Sequence, residues 1–255
     1  MSIWNDIQTH VADVQGRPVS LGTPVSVGGG CISQAYRVQV LDSSLFVKLS
    51  SADGLPMFEA EAKGLQELGL AQALRVPEPV CVGVSENQAY LVMENIELGG
   101  RGDPAALGEG LAALHRVTAS RFGWHRDNTI GSTPQRNQQE QDWLTFWREH
   151  RLGAQLQLAA RNGAGSRTID AGARLLEALP LLLEGHRPQA SLLHGDLWSG
   201  NYSFTRAGAP VIFDPAVYYG DRETDLAMTE LFGGFGQQFY AAYRNAWPLD
   251  AGYSR

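Results

Sequence analysis

Cysteine is almost missing from this chain, with only Cys31 and Cys81 among 255 residues. Two thiols make no disulfide framework and fit a reducing, cytoplasmic setting. Positive charge is also short: 20 Lys and Arg stand against 27 Asp and Glu, for a net charge of -7. A binder of the nucleic-acid backbone needs a basic face, so that class is excluded. Long apolar runs are lacking too. Stretches such as "ALPLLLEG" and "AYLVMENI" fall well short of the roughly 20 residues that span a membrane. The start, "MSIWNDIQTHVADVQG", reads as an amphipathic helix without the basic and long apolar segments of a signal peptide. No internal repeat or low-complexity segment occurs. What remains is ordinary for a globular protein: 44% hydrophobic and 18% charged residues, enough chain for one large core or two modest ones.

The texture changes along the chain. From Val19 to Ile96, "VSLGTPVSVGGG", "CISQAYRVQVL", "SLFVKLS" and "QAYLVMENI" are strand-like runs separated by turn formers. "PMFEAEAKGLQEL" interrupts them, with Phe58, Ala62, Leu65 and Leu68 at helical spacing. The predicted order is strand, Gly turn, strand, turn, strand, helix, strand, strand. Beyond Pro104, "PAALGEGLAALHRV", "EQDWLTFWREHRLGAQLQLAARNG" and "DAGARLLEALPLLLEG" each offer one apolar face of a helix. Two short strands are expected in "SLLHGD" and "PVIFDP", and helix resumes at "ETDLAMTELFG". "DNTIGSTPQRNQQEQ" is rich in turn formers and reads as a loop. The expected class is therefore α+β with two lobes. A small β-rich lobe with one helix covers residues 1–95, and a larger, mainly helical lobe covers 96–255.

Chemistry enters at five places. Gly28, Gly29 and Gly30 lie between two strands, where glycine costs stability unless the backbone must approach something closely. Exposed N–H groups there suit phosphate oxygens, although a plain hairpin turn reads the same way. Lys48 sits inside an alternating strand, and Glu59 and Glu61 follow on a helix. A Lys after a Gly-rich turn, then a helical Glu, is the phosphate-anchoring pair of kinase sites. The two Glu differ by about 200° around the helix. Glu61, beside the apolar stripe, is the one expected to face Lys48. "HGDLWSGN" then puts Asp196 and Asn201 at the spacing of the kinase catalytic loop, with Asp214 after the next strand. In that pattern Asp196 accepts or orients the proton of an attacking hydroxyl. Asn201 and Asp214 supply the hard oxygens that hold Mg²⁺ against ATP. Capping residues and a core Trp198 would explain each piece alone, but not five pieces in order. His115, His194 and the aromatics Trp143, Phe146 and Trp147 read as packing residues, and Asp225 as a support for the loop backbone.

These segments, with "FGWHRDNTIGSTPQ", "DWLTFWREHRL" and "IFDPAVYYGDRETDLAMTELFGGF", resemble the fructosamine/ketosamine kinase family. The likeness runs from about Gly28 to Pro248. "HGDLWSGN" with the Tyr pattern after "FDPA" is its most specific part. The resemblance implies a protein-kinase-like fold and phosphorylation of the sugar O3 of fructosamines or ribulosamines by ATP. The phosphate makes the adduct labile and frees the amine, on small molecules or on protein lysines. It also implies adenine contacts at the Glu94 carbonyl and the Ile96 N–H, and further helix after the point where this sequence ends. Trp198, two residues past the presumed base, is expected to stack on the sugar. Cys31, behind the glycines, is a candidate redox switch that could link two chains of an otherwise monomeric protein. Two other readings stay open. One is a kinase of another small amine or alcohol, of the aminoglycoside, choline or thiamine type. The other is a pseudokinase that binds nucleotide without catalysis.

Overall fold

In the computed structural model, residues 2–28, 33–41, 43–250 and 252–253 are described. The chain opens with α1 (Ile3–Gln15), β1 (Val25–Val27), β2 (Gln34–Val40), β3 (Ser43–Ser51), α2 (Leu55–Leu70), β4 (Pro79–Ser85) and β5 (Gln88–Glu94). The strands form an antiparallel sheet in the order β1-β2-β3-β5-β4. The expected order of elements therefore holds, but the first strand is shorter than expected. Residues 19–24 run without regular structure, because Pro18 and Pro24 bracket them and remove ladder donors.

Alternation along β3 sorts the sheet's two faces. Leu45, Val47 and Leu49 are buried with Ile3, Ile7 and Val11, so α1 packs on that face. Phe46 and Lys48 point the other way. There Phe58, Ala62, Leu65 and Leu68 of α2 meet Ala89, Leu91 and Met93 of β5. The sheet is thus sandwiched between two helices, and Lys48 lies on the side of α2. β3 is a central strand, and Lys48 is only 9% exposed. It is not the solvated edge lysine that a strand commonly carries.

The second part is mainly helical. It runs through α3 (Pro104–His115), β6 (Thr118–Ala119), β7 (Asn128–Ile130), β8 (Thr133–Gln135) and α4 (Trp143–Phe146). A π-helical turn (Trp147–Leu152) leads on to α5 (Gly153–Arg161) and α6 (Ser166–Leu182). β9 (Ala190–Leu193), β10 (Tyr202–Phe204), β11 (Pro210–Ile212), β12 (Tyr218–Gly220), α7 (Glu223–Leu231) and α8 (Gln237–Ala246) follow. Helices α3 and α8 pack so closely that a Cβ on Gly108 would stand 2.4 Å from the Phe239 carbonyl oxygen. Their apolar residues Leu107, Leu111, Phe239 and Tyr243 share one core with α2 and β5. That common core fixes the helical part against the sheet and sets the cleft between them. Trp143 and Phe146 are buried, and Phe146 stacks on Tyr218.

The polar stretch read as a loop is in fact built. β7 and β8 pair as a hairpin, Asn128 opposite Gln135. Asn128, Gln135 and Asn137 are each less than 10% exposed. Short, amide-rich strands carry no apolar alternation, so the usual strand signal is missing. Burial of these amides is compensated by hydrogen bonds. Asn128 donates to the Val217 carbonyl at 2.8 Å and Gln135 to the Ala216 carbonyl at 3.0 Å.

Candidate active site

The register of the sheet brings the pieces of the site together. Val27 pairs with Ala35 and Ala35 with Lys48, so the Gly-rich turn leaves the sheet at the end nearest Lys48. Gly28 follows β1, and a Cβ there would touch nothing within 4 Å among the described residues. Gly29, Gly30 and the proposed redox residue Cys31 lie outside the described residues. Cys81 is buried, and burial pushes its thiol up to about 12, the condition of an inert structural cysteine.

Lys48 Nζ donates to Glu61 Oε1 and to Asp214 Oδ1, each at 2.6 Å. Glu59 faces away and meets Arg126 at 3.2 Å. The helix phase thus separates the two glutamates as their spacing predicts. Burial works against the charge on Lys48, but the two carboxylates outweigh it and hold the ammonium above its usual range. Such a cluster has little net stabilising value, yet removing Lys48 would strand the buried Glu61 carboxylate, at a cost of about 3–5 kcal/mol.

Asp196, Asn201 and Asp214 converge below Lys48. Asn201 Nδ2 donates to the Asp196 carbonyl at 2.8 Å and to Asp196 Oδ2 at 3.1 Å. Both partners are acceptors, which fixes the orientation of the amide and leaves its Oδ1 as the group to receive a cation. Asp214 is a non-glycine residue at φ 57°, and its side chain is 48% exposed. An amide oxygen and a carboxylate form the hard donor set that Mg²⁺ takes, so these residues fit the ion that the sequence pattern implies. The Asp196 carboxyl is pushed up to about 6. Burial is the main cause, Asp225 and Asp214 add to it, and the Asn201 hydrogen bond opposes it.

The loop that carries Asp196 is pinned from beneath. Asp225 is 1% exposed and accepts from His194 N at 2.7 Å, Gly195 N at 2.9 Å and His115 Nε2 at 3.2 Å. Burial disfavours its charge, but these donors win and keep the carboxyl below its usual range. The other nitrogen of His115 meets the Tyr243 hydroxyl at 2.8 Å. His194 Nε2 donates to the Phe213 carbonyl at 3.0 Å, leaving Nδ1 to accept from Asp196 N at 3.3 Å. Burial lowers the pKa of His194, as suits a neutral ring with one donor and one acceptor. Both histidines are therefore braces of the loop. They link α3, the catalytic loop and the strand end before Asp214.

Gly195 replaces the Arg of the kinase pattern for a steric reason. Its φ is 81°, and a Cβ would stand 2.0 Å from the Ala216 carbonyl oxygen. Gly195→Ala is expected to cost about 2–4 kcal/mol from strain and overpacking and to lower the melting temperature by roughly 5–15 °C. Thermal unfolding checks this, and an unchanged midpoint would refute the close contact.

Trp198 is 37% exposed, and its ring centroid lies 5.6 Å from that of Phe232. Phe232 and Leu231 are exposed beside it. Together they form an apolar rim near Asp196; of the three, only Trp198 is expected at the acceptor side from the sequence. Glu94 ends β5, and its carboxylate pairs with Arg75. Asn95 continues the crossover by donating from its N–H to the Ser44 carbonyl at 3.2 Å.

A sheet that offers a lysine–glutamate pair to a loop with D-x-x-x-x-N and a strand-end Asp is the layout of protein-kinase-like phosphotransferases. The comparisons place the chain more closely: it belongs to the fructosamine kinase family, whose model matches residues 3–255. A probable ketoamine kinase of Synechocystis is 45% identical, over 99% of this chain and 85% of its own length. The chloroplastic protein-ribulosamine 3-kinase of Arabidopsis thaliana is 42% identical, over 94% of this chain and 75% of its own. Among solved structures, a putative fructosamine-3-kinase from Haemophilus somnus superposes with a TM-score of 0.90 at 28% identity. That match covers 98% of this chain and 85% of the other.

Proposed function

We propose that the protein is an ATP-dependent ketosamine 3-kinase of the cytoplasm, acting on fructosamines or ribulosamines. The observation that carries this reading is the convergence of Lys48, Asp196, Asn201 and Asp214 in one cleft of a chain from this family. The names of the relatives support the acceptor class. In this account residues 1–95 hold the nucleotide. Gly28 and its neighbours cover the phosphates, Lys48 set by Glu61 contacts them, and the Glu94 carbonyl and Ile96 N–H receive the adenine. Residues 96–255 supply the chemistry and the acceptor site.

Asp196 takes the proton of the sugar O3 hydroxyl as that oxygen bonds to the γ-phosphorus and the bond to the ADP oxygen breaks. At neutral pH Asp196 is ionised and able to accept it. Mg²⁺ bound by Asn201 and Asp214 would neutralise phosphate charge. Positioning and electrostatics supply most of the rate. Phosphorus NMR of the product of fructosyl-lysine tests the regiochemistry. Phosphate on O3, followed by release of free lysine, is expected, and phosphate on another hydroxyl would overturn the assignment.

Trp198 is the expected platform for the sugar and its linkage. Loss of one aromatic face removes about 1–2 kcal/mol of contact, so Trp198→Ala should raise the ketosamine KM by roughly ten-fold. The KM for ATP should stay near the parent's. Equal effects on both constants would return Trp198 to a purely structural role.

A further inference from the structure

At the far end of β9 from the catalytic loop lies a second polar cavity, of about 200 Å³. His186, Asp221 and Glu223 reach into it, with one potential ligand atom from each lying within 4.8 Å of the others. We propose that His186, Asp221 and Glu223 form a binding site for a divalent cation of the zinc type, separate from the nucleotide site.

Four observations support it. His186 Nε2 meets Asp221 Oδ2 at 2.6 Å, so an imidazole and a carboxylate already share one point in space. The backbone fixes the carboxylates: Asp221 Oδ1 accepts from Glu223 N at 3.1 Å at the start of α7. A third carboxylate, Asp250, lines the same cavity, together with Arg187 and Arg222. Both guanidiniums are engaged by backbone carbonyls, Arg222 by Trp247 at 3.1 Å and Pro248 at 2.6 Å and Arg187 by His186 at 2.9 Å, which leaves the carboxylates open to an ion. Independently, Ser191 lines the cavity, is 1% exposed, and its buried Oγ has no hydrogen-bond partner among the described residues. A buried hydroxyl without a partner is uncommon and calls for an unseen ligand or water.

The chemistry selects the ion. One imidazole nitrogen with two carboxylate oxygens suits zinc at bonds of about 2.0–2.2 Å. Mg²⁺ prefers oxygen ligands and keeps its waters. The cavity has room for an ion and several waters, each occupying about 30 Å³. The ordinary alternative is a His–Asp salt bridge at the start of α7, but that pair would leave the Ser191 hydroxyl unexplained. Bound zinc would tie the segment before β9 to the start of α7, two residues from the Asp225 brace.

The test is zinc retention by nucleotide-free protein, stripped with chelator, given zinc and dialysed. The parent is expected to keep about one zinc per chain in 100-fold excess Mg²⁺. Its melting temperature should rise with added zinc. Glu223→Gln and His186→Gln should each weaken zinc binding at least ten-fold. Their melting curves in chelator report whether they fold. Asp214→Asn and Cys31→Ala, which disturb the nucleotide site and the thiol respectively, should keep the zinc. The proposal is overturned if the stripped parent takes up no zinc. It is equally overturned if the two cavity variants bind zinc like the parent, or if Cys31→Ala is the variant that loses it.

Discussion

Asp196→Asn is expected to lower turnover by a factor on the order of 10² to 10⁴ while nucleotide binding is retained. The variant keeps the shape of the side chain but removes the group proposed to accept the hydroxyl proton. Asn201 still finds the Asp196 backbone carbonyl, so the loop holds its form. Asp196 also leaves a signature in stability. Its carboxyl lies at about 6, against 3.8 for the ordinary group. The folded state thus binds the proton more tightly than the unfolded chain. Stability is lost as pH rises from about 4 to 6, and the penalty is complete above that window. Asn carries no such penalty. At pH 8 the variant should therefore be more stable than the parent, by on the order of 1 kcal/mol after discounting for the group's partial exposure. The gap should close near pH 4. A residue that only holds the fold would show the opposite, so thermal melts at the two pH values separate the roles. In the parent, kcat/KM for the acceptor should fall as pH drops below about 6. Turnover of the variant near the parent's would remove Asp196 from the chemistry.

Asp214→Asn acts on the nucleotide instead. Asp214 shares Lys48 with Glu61 and presents a half-exposed carboxylate to the cleft. Replacing it by an amide weakens a charged oxygen ligand, an interaction worth about 1.5–3 kcal/mol. Affinity for the Mg²⁺–nucleotide complex should drop by roughly 10–100-fold. Nucleotide without the metal should bind nearly as in the parent. Lys48 remains paired with Glu61, so the fold should survive. Calorimetric titration with and without Mg²⁺ checks this, and matching Mg²⁺ dependence in variant and parent would refute the metal role.

Much of this site can be read from sequence because its parts are local. The spacing from Asp196 to Asn201 lies within one turn, and helix phase alone separates Glu61 from Glu59. Alternation places Lys48 opposite Leu45, Val47 and Leu49. What was hidden depends on contacts far along the chain. The β7–β8 hairpin has amides where a strand signal needs apolar residues, and its partners Ala216 and Val217 lie about 80 to 90 residues away. The reason for Gly195 appears only when the Ala216 carbonyl stands beside it. Phe232 joins Trp198 from the end of α7, and Ser191 faces the His186 cavity through the pairing of β9 with β12. None of these neighbours is marked by spacing or composition.

The central claim is the acceptor class, and ADP release measured side by side on four acceptors tests it most directly. Ribulosyl-lysine, fructosyl-lysine, an aminoglycoside and choline would each be supplied with ATP and Mg²⁺. The account predicts ADP release with one or both ketosamines, abolished in Asp196→Asn, and none above background with the other two. Turnover on the aminoglycoside or choline in preference to both ketosamines, or no turnover on any acceptor, would contradict it.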